Sequence, residues 1–518
     1  MTERAPATVN LGRPRSSSVE LLTRVTPALW VATLYLVLSL AFTQFRGVFE
    51  IDTDEGNNLI KALLLQHGLS FGQIWSDQPP LFAAILWGVF RVFGWHVAVA
   101  RELVLVFTAA LLFAIYDSVV AISRRSCGLM AAHLGALLSV VLVVLSFGFA
   151  VWRVCVMIGL PCIALTALSL WAAIRGGEHD PTDRDDRRFW LLTSGVLLGL
   201  SLSTKLFTAF VVPAVLLQAI SPELSQLGQG GTRPALRAAG VFGLGFGAAL
   251  LVGLGPLLIS GDIWKLYEVH ALAQAAGYRS VNTLFGLVER DEWLFGLAIL
   301  GGMLVLWFRL RAALPFVFWL TAAMVLLSNH DPLWAHHHQL MVTPAAALAG
   351  VGVAIACRRV GRWLAPTIAA ALLATTLLWV GVNAPRRFDE LLAPYPHEQS
   401  RDWKIVGLLK KRHLEGATMV TARQIYAFHL GLSVPPELAV TSAKRFHAGM
   451  LNADTIIAAI RKSHAEVVVV AWPWPRKVRD AVRHAIAKQY RVIYEAKTRR
   501  PSYVYLRRDR DSTSTTTH

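Results

Sequence analysis

Long apolar runs, separated by short polar stretches, fill most of the first 384 residues of the chain. A transmembrane helix needs about 20 apolar residues to cross a bilayer, and windows of that length predict roughly eleven spans. These spans are 26–45, 97–121, 127–149, 156–174, 189–204, 206–221, 236–259, 293–308, 312–328, 340–356 and 364–382. A further apolar stretch, 79–93, is interrupted by Arg91, so we expect it to lie along the membrane interface. The pattern predicts an α-helical polytopic membrane protein.

From about Pro385 onward, short runs rich in Val, Ile and Tyr alternate with segments of helical periodicity. The strand-like runs are "ATMVTA", "EVVVVAW", "RVIYEA" and "SYVYL", and the helical segments are "ADTIIAAIRKSHA" and "PRKVRDAVRHAIAKQY". This alternation predicts a small C-terminal α/β domain over residues 385–508. A Gly-rich phosphate loop does not follow these runs, so we do not expect nucleotide binding there. The polar end, 509–518, is typical of a disordered tail.

Composition agrees with the membrane prediction, because 55% of the 518 residues are hydrophobic and only 16% are charged. The net charge of +17 raises the question of nucleic acid. Much of the Lys and Arg, however, lies in short clusters between apolar runs, which is how membrane topology is encoded. We therefore expect a membrane and no nucleic acid as partner. The four cysteines lack metal-ligand spacing and are expected to be small apolar residues.

The basic clusters predict the orientation of the chain. They precede the first span and follow the second, fourth, sixth, eighth and tenth: Arg4, Arg13, Arg15, Arg24; Arg124, Arg125; Arg175, Arg184, Arg187, Arg188; Arg233, Arg237; Arg309, Arg311; Arg358, Arg359, Arg362. Positive loops face the cytoplasm. Segment 1–25 is therefore predicted to be cytoplasmic, and 26–384 to form the transmembrane domain. The first loop, 46–96, and the C-terminal domain are predicted to be extracytoplasmic.

The first outward loop, "EIDTDEGNNLIKALLLQHGLSFGQIWSDQPP", carries acids beside apolar sequence. They include Asp52, Asp54, Glu55 and Asp77. The run 57–67 has helical periodicity with leucines on one face, which suits a helix lying in the interface. A carboxylate held there would have a raised pKa and could act as a general base. The alternatives are a solvated acidic loop, a calcium loop, which would lack EF-hand ligands, and a metal-bridging Asp-x-Asp as in nucleotide-sugar enzymes, which would lie on the wrong side.

The order of these motifs resembles the GT-C superfamily of membrane glycosyltransferases. An outward Asp54-Glu55 pair is followed by an interfacial helix and then by "DQPPL". "GLSLSTKLFTAFVVPAVLL" is similar to the family's G-L-x-x-x-T-K segment, and "HHHQLMVTPAAALAG" to its late outward loop. "GLSVPPELAVTS" also occurs in the C-terminal domain of bacterial members. Within the superfamily, the chain is similar to the dolichyl-phosphate-mannose–protein mannosyltransferase-like group, which includes the lipid A aminoarabinose transferases.

The resemblance implies a reaction and a set of site residues. Such enzymes transfer a sugar, with inversion, from a polyprenyl phosphate to an extracytoplasmic protein, lipid or envelope glycan. Asp54 takes the role of the base, and Glu55 orients the acceptor or supports Asp54. Asp52, Asp77 and Gln78 belong to the substrate loop. The plain chain fits a bacterial enzyme of the inner (plasma) membrane.

The departing lipid phosphate needs cations or hydrogen-bond donors. Lys205, at an outward span end, is the first candidate, although an interfacial snorkelling lysine is the alternative. Arg153 is the second, since "WRVCVMIGLPCIAL" resembles an outward loop in which the family has Arg followed by Asp-x-Pro. Here Gly159 stands where the family has the Asp, and the Arg–Pro spacing is one residue longer.

The histidine run His336, His337 and His338 could contact the phosphate or the substrate, have a structural role at the membrane interface, or bind a metal. Adjacent histidines in an extended loop diverge, so a three-histidine metal site is not expected. The sequence identifies no certain cofactor, and a divalent metal is compatible with it but not favoured.

Two other hypotheses remain. A transporter or lipid flippase tends to have inverted repeats and ionisable residues at mid-membrane. In this chain no internal repeat is evident, and the ionisable residues cluster at outward span ends. A non-catalytic relative is the other hypothesis, because the second acid is missing.

Overall fold

The computed structural model describes residues 18–178, 184–224, 232–279, 282–363, 400–496 and 501–508. Up to residue 363 the described chain is helical, and after residue 400 it forms a small α/β domain. The helices of the first part are α1 Ser18–Phe42, α2 Thr53–Gln66, α3 Leu81–Phe93, α4 Val97–Cys127, α5 Leu129–Val144, α6 Phe149–Trp152, α7 Gly159–Gly176, α8 Arg184–Thr204, α9 Val212–Leu224, α10 Arg233–Ser260, α11 Lys265–Ala275, α12 Leu284–Val288, α13 Glu292–Trp307, α14 Leu314–Ser328 and α15 Gln339–Trp363.

Ten of the eleven predicted spans coincide with described helices, and the eleventh, 364–382, lies outside the described residues. Seven helical segments of the described chain are long and apolar enough to cross a membrane. They are Val25–Phe42, Val97–Cys127, Gly159–Gly176, Leu206–Leu224, Arg233–Ser260, Arg311–Ser328 and Ala335–Arg358. The remaining three fall short because α5 and α13 have only 16 residues each and α8 begins with charged residues. The polytopic helical fold is confirmed.

Helix α15 lies at the centre of the bundle, where it packs against α4, α5, α13 and α14. Its contact with α5 is so close that a Cβ on Gly135 would lie 2.2 Å from the carbonyl oxygen of Gly350. Small residues allow helix backbones to approach in this way. At the periphery, α10 leaves Val252 and Ile259 exposed, the latter by 90%. Such an apolar outer surface suits contact with lipid.

Helix α2 begins earlier than predicted, at Thr53, and is buried from Glu55 to Leu64. Its leucine face therefore packs inside the protein, and the position of the helix relative to the membrane interface stays a prediction. The backbone of Gln424 and Ile425 covers the helix, and a Cβ on Gly56 would lie 2.6 Å from the Ile425 nitrogen. Without a side chain at Gly56, the C-terminal domain can pack directly on the first turns of α2.

The C-terminal domain contains four strands, and all four predicted strand runs are confirmed. They are β1 Met419–Thr421, β2 Val467–Val470, β3 Tyr490–Ala496 and β4 Ser502–Arg507. The sheet order is β1-β2-β4-β3, with β1 parallel to β2 and the other two pairs antiparallel. The helices are α16 Ser400–Lys410, α17 Ile425–Leu430, α18 Ala443–His447, α19 Ala453–Lys462 and α20 Arg476–Ile486. The predicted boundary at residue 385 lies outside the described residues.

A buried ionic network joins this domain to the loop before α2. Arg423 donates to Glu50 at 2.7 Å and to Asp402 at 2.9 Å, and Tyr426 donates to the same Asp402. Beside it, Phe49 packs against the ring of Tyr426 at 5.2 Å. Removing one member of a buried pair leaves an uncompensated charge, so such contacts hold their elements firmly in register.

Candidate active site

The first turn of α2 fixes the direction of the acidic side chains. Asp52 is the N-cap residue, and its Oδ1 accepts the backbone N–H of Asp54 at 2.9 Å. This bond satisfies one of the free N–H groups at the helix start, and the positive end of the helix dipole favours acids there. The structure thus gives Asp52 a clear structural role, whereas its predicted contact with substrate stays a prediction.

Glu55 points into the protein and is completely buried. Its carboxylate pairs with Arg101 through two bonds of 3.0 and 2.6 Å. It also accepts the backbone N–H groups of Ile51 at 2.7 Å and Val156 at 3.0 Å. Four donors therefore converge on this carboxylate, which supports the first turn of α2 and the loop before α7. The geometry favours a positioning role for Glu55, supporting Asp54, over contact with the acceptor.

Asp54 is half-buried and faces the other acid of the loop, Asp77. Burial raises the pKa of the Asp54 carboxyl, and Asp77 adds to this effect, while Lys205 and Lys444 oppose it. The Asn57 amide donates to Asp54 Oδ1 at 3.3 Å. A carboxyl of raised pKa that remains accessible is suited to general-base chemistry.

The loop that carries Asp77 and Gln78 is held by Ser76. The Ser76 hydroxyl accepts the Gln78 N–H at 3.1 Å and donates to the Gln78 carbonyl at 2.9 Å. Lys61, on α2, donates to the same hydroxyl at 3.4 Å. Asp77 is buried, and Gln78 is half-buried. The structure thus brings Asp77 to Asp54 from 23 residues further along the chain.

Lys205 lies between α8 and the 3₁₀ turn Leu206–Val211, on the wall of a small cleft. Its Nζ is 4.7 Å from the centroid of the Phe207 ring. Burial, with a contribution from Lys444, lowers the pKa of Lys205 to about 8. The cleft is lined by Gly159, Cys162, Ile163, Lys205, Phe207, His336, His337 and Leu340. The predicted role of Lys205 in binding the donor phosphate stays a prediction.

Of the three adjacent histidines, His336 and His337 share one cleft, with ring centroids 4.5 Å apart, and only His338 diverges. His336 and His337 line the cleft, and the His337 Nδ1 accepts the N–H of Trp334 at 3.3 Å. His338 is fully buried elsewhere, with its Nε2 3.5 Å from Asp291 Oδ2. The structure brings His337, but not His338, to the same cleft as Lys205. Within the described ranges, no group of three or more His, Cys, Asp or Glu side chains could hold a metal ion.

Arg153 is buried on the side of α1. Its guanidinium donates to Thr43 Oγ1 at 3.0 Å, and its carbonyl accepts from Thr108 at 2.8 Å. Arg153 is not part of the cleft wall that contains Lys205. A role in donor binding stays a prediction for this residue, and its contacts support packing of α1 against the bundle.

Sequence reasoning missed two residues that the fold adds to the site. Lys444, on α18 of the C-terminal domain, donates to His270 Nδ1 on α11 at 3.2 Å. Burial lowers the pKa of Lys444, while the charges of Asp77 and Asp54 oppose this effect. Burial and the nearby Lys444 lower the pKa of His270 to about 4, so the imidazole is neutral and can accept this bond. Lys444 lies two positions after the family-like "GLSVPPELAVTS", but no motif in the sequence includes it.

Comparison with known proteins supports the resemblance seen in the sequence. The family described as dolichyl-phosphate-mannose-protein mannosyltransferase matches residues 77–229, which include Asp77, Arg153 and Lys205. No curated protein sequence matches the chain.

Solved structures match nearly the whole chain. ArnT from Cupriavidus metallidurans in the apo state matches with a TM-score of 0.59 and 15% identity, over 94% of this chain and 98% of that one. The same protein bound to undecaprenyl phosphate matches with a TM-score of 0.57 and 14% identity, over 93% of this chain and 98% of that one. The archaeal oligosaccharyltransferase AglB from Archaeoglobus fulgidus, in complex with an inhibitory peptide and a dolichol-phosphate, matches with a TM-score of 0.54 and 12% identity. This match covers 94% of this chain and 74% of that one. The predicted resemblance to the GT-C superfamily, mannosyltransferase-like and ArnT-like, is confirmed.

Proposed function

We propose that this chain is an integral membrane glycosyltransferase that moves a sugar from a polyprenyl phosphate to an extracytoplasmic acceptor. The observation that carries the proposal is that the half-buried Asp54, in the first turn of α2, and the half-buried Lys205, on the wall of the cleft, act on each other electrostatically. Structurally similar proteins bind undecaprenyl phosphate or dolichol-phosphate, which supports a lipid-linked donor.

The reaction follows from the chemistry of these two groups. A nucleophilic atom of the acceptor attacks the anomeric carbon of the sugar while its proton passes to the Asp54 carboxylate. The bond from that carbon to the phosphate oxygen breaks, and its electron pair stays on the phosphate. Polyprenyl phosphate leaves with an additional negative charge, which Lys205 stabilises. Asp54 then returns the proton to solvent, and the sugar is transferred with inversion.

The positions of the basic residues support an extracytoplasmic site in the inner (plasma) membrane. Helix α7 begins at Gly159 in the cleft and carries Arg175 at its other end, and α8 carries Arg187 at the end opposite Lys205. Positive residues mark the cytoplasmic ends of spans. The C-terminal domain contacts the loop before α2, so it belongs on the same side as Asp54.

The enzymatic part of the proposal is tested by incubating the purified protein with several polyprenyl-phosphate sugars and an extract of candidate acceptors. We expect the wild-type protein to release polyprenyl phosphate from one donor, and the Asp54→Asn variant is the negative control. Equal release by the wild type and this variant, or none from any donor, would contradict the proposal.

The orientation is tested by labelling with a membrane-impermeant thiol reagent in spheroplasts of a strain expressing a variant without its native cysteines. Cysteines at the exposed positions Ser70 and Glu415 should react, whereas one at the exposed Thr232 should react only after permeabilisation. Labelling of Thr232→Cys in intact spheroplasts would show that the orientation is the opposite of the proposed one.

A further inference from the structure

Lys444 reaches the site from the C-terminal domain, although no motif marks it as a functional residue. We infer that Lys444 is a second ligand of the donor phosphate, so that two lysines, one from each domain, bind one lipid phosphate. The inference rests on the proposed function and deepens it. If Lys444 binds the phosphate, the C-terminal domain contributes a residue to the substrate site.

The helix that carries Lys444 is fixed on both sides. The guanidinium of the next residue, Arg445, lies 3.7 Å from the centroid of the Trp75 ring. Arg445 also donates to the carbonyls of Glu437 at 2.8 Å and Val440 at 2.7 Å. Trp75 belongs to the loop that carries Asp77, and its N–H bonds to the Pro436 carbonyl at 3.1 Å. These contacts tie α18 to the acidic loop of the transmembrane domain.

On the other side, α18 contacts the segment around α11. The ring of His447 stacks on Tyr278 with centroids 4.2 Å apart. Between these two anchors, the Lys444 Nζ lies 3.2 Å from His270 Nδ1. A neutral imidazole accepts one of the three ammonium protons, and the other two remain to bind an anion. The position of the Lys444 ammonium is therefore set before any ligand arrives.

Both lysine nitrogens lack a direct carboxylate partner among the described residues. Burial and the charge of Lys444 lower the pKa of Lys205. Asp54 and Asp77 act electrostatically on both lysines, but in the described chain neither carboxylate lies within ion-pair distance of either nitrogen. A phosphate that accepts directly from both nitrogens would therefore add ion pairs that the protein itself does not provide.

The number of lysines matches the charge that develops in the reaction. A sugar-linked polyprenyl phosphate is a diester with one negative charge, and the departing polyprenyl phosphate gains a second. The charge of a single lysine neutralises the one negative charge of the donor, whereas two lysines are needed to neutralise the two negative charges of the leaving group. Interactions that strengthen as charge develops lower the barrier and do not merely tighten substrate binding.

The test compares binding of undecaprenyl phosphate with binding of undecaprenol, which has the same chain and no charge, to the full-length protein. Lys444→Met keeps the apolar stem and removes the charge, and Lys488→Met is the matched control on an exposed surface of the same domain. We expect Lys444→Met to lose about tenfold or more of its affinity for the phosphate, the scale of one charge-assisted hydrogen bond. Binding of the alcohol should be unchanged, Lys444→Arg should retain part of the affinity, and the control should equal the wild type.

The outcomes separate this inference from the proposed function. An unchanged preference for phosphate over alcohol in Lys444→Met would overturn the inference alone. A variant that binds the phosphate normally but shifts the acid limb of the pH–rate profile would also overturn it, because Lys444 would then act on Asp54. A wild-type protein without preference for the phosphate would instead remove the lipid-phosphate donor from the proposed function. If Lys444→Met does not fold, Lys444→Gln serves the same comparison.

Discussion

The acidic and cationic halves of the candidate site are built in different ways. On the acidic side, Glu55 is saturated by Arg101 and two backbone N–H groups, and the Asp52 cap fixes the turn that presents Asp54. On the cationic side, Lys205 and Lys444 come from two domains and, among the described residues, have no carboxylate at ion-pair distance. The proposed base is therefore held in place by the protein alone, whereas the two lysines keep nitrogens that a ligand phosphate would pair with directly.

The largest effect is expected on the stability of the acidic half. Glu55→Ala leaves Arg101 buried without its carboxylate, and removing one partner of a buried pair costs about 3–5 kcal/mol. The melting temperature of the purified protein should fall accordingly. The double variant Glu55→Met with Arg101→Met should recover much of the loss, because no buried charge remains. A single variant that melts like the wild type would show that the pair does not hold α2.

The next effect is expected on turnover. Asp54→Asn keeps the size of the side chain but cannot accept a proton, so turnover should fall by at least about 10²-fold. Folding and binding of the lipid donor should be retained. Asp52→Asn is the matched control, because asparagine caps a helix as well as aspartate does. Near-normal turnover by Asp54→Asn would remove this residue as the base, and an equal loss in Asp52→Asn would show that charge near the cap is what matters.

This contrast also explains how far the sequence could be interpreted. The acidic half is encoded in one contiguous stretch, so Asp52, Asp54, Glu55 and the following helix could be identified from local pattern, as could all four strands of the C-terminal sheet. The burial of α2 could not, because it depends on Gly56 meeting the backbone at Ile425, 369 positions away. Lys444 was missed for the same reason: nothing local to α18 indicates that it faces His270.

Removing the lysine charge at the cleft should have a smaller effect than removing the base. Lys205→Ala should reduce both turnover and donor affinity by about tenfold, the scale of one charge-assisted hydrogen bond. Lys205→Arg should retain part of both. A snorkelling lysine would behave otherwise, since its loss would lower expression or stability and leave the kinetics of the surviving protein intact. Unchanged turnover and donor affinity in purified Lys205→Ala would rule out a role of Lys205 in binding the donor phosphate.

The pH dependence of ligand binding should report the same lysine. With a pKa of about 8, Lys205 is protonated below pH 8 and neutral above it, and a bound phosphate raises that pKa. Affinity for undecaprenyl phosphate should therefore hold up to about pH 8 and then fall, by up to tenfold per pH unit. The titratable groups that face Lys205 are Lys444, Cys162, Asp54, Asp77, His270, His330, His336 and His337.

Lys205→Arg identifies which of these groups is responsible for the fall, because arginine stays protonated throughout this range. In that variant the decline in affinity above pH 8 should disappear or move upward by more than one unit. An identical decline in Lys205→Arg would assign it to another group, and Lys444 would be the next to replace.

The smallest effect is expected at Gly159, which lines the cleft where the resemblance would place an acid. A Cβ at this position would meet no atom within 4 Å, so a side chain fits without displacing the fold. Gly159→Asp would place a carboxylate beside Lys205, where it competes with the phosphate. We expect a few-fold loss of affinity for undecaprenyl phosphate, well below one full charge-assisted bond because the first turn of α7 partly stabilises the added charge. Gly159→Asn, which has the same size and no charge, should bind like the wild type. If both variants weaken binding equally, the effect is steric: the open space at Gly159 is then needed to accommodate the ligand, and the added charge has no effect of its own.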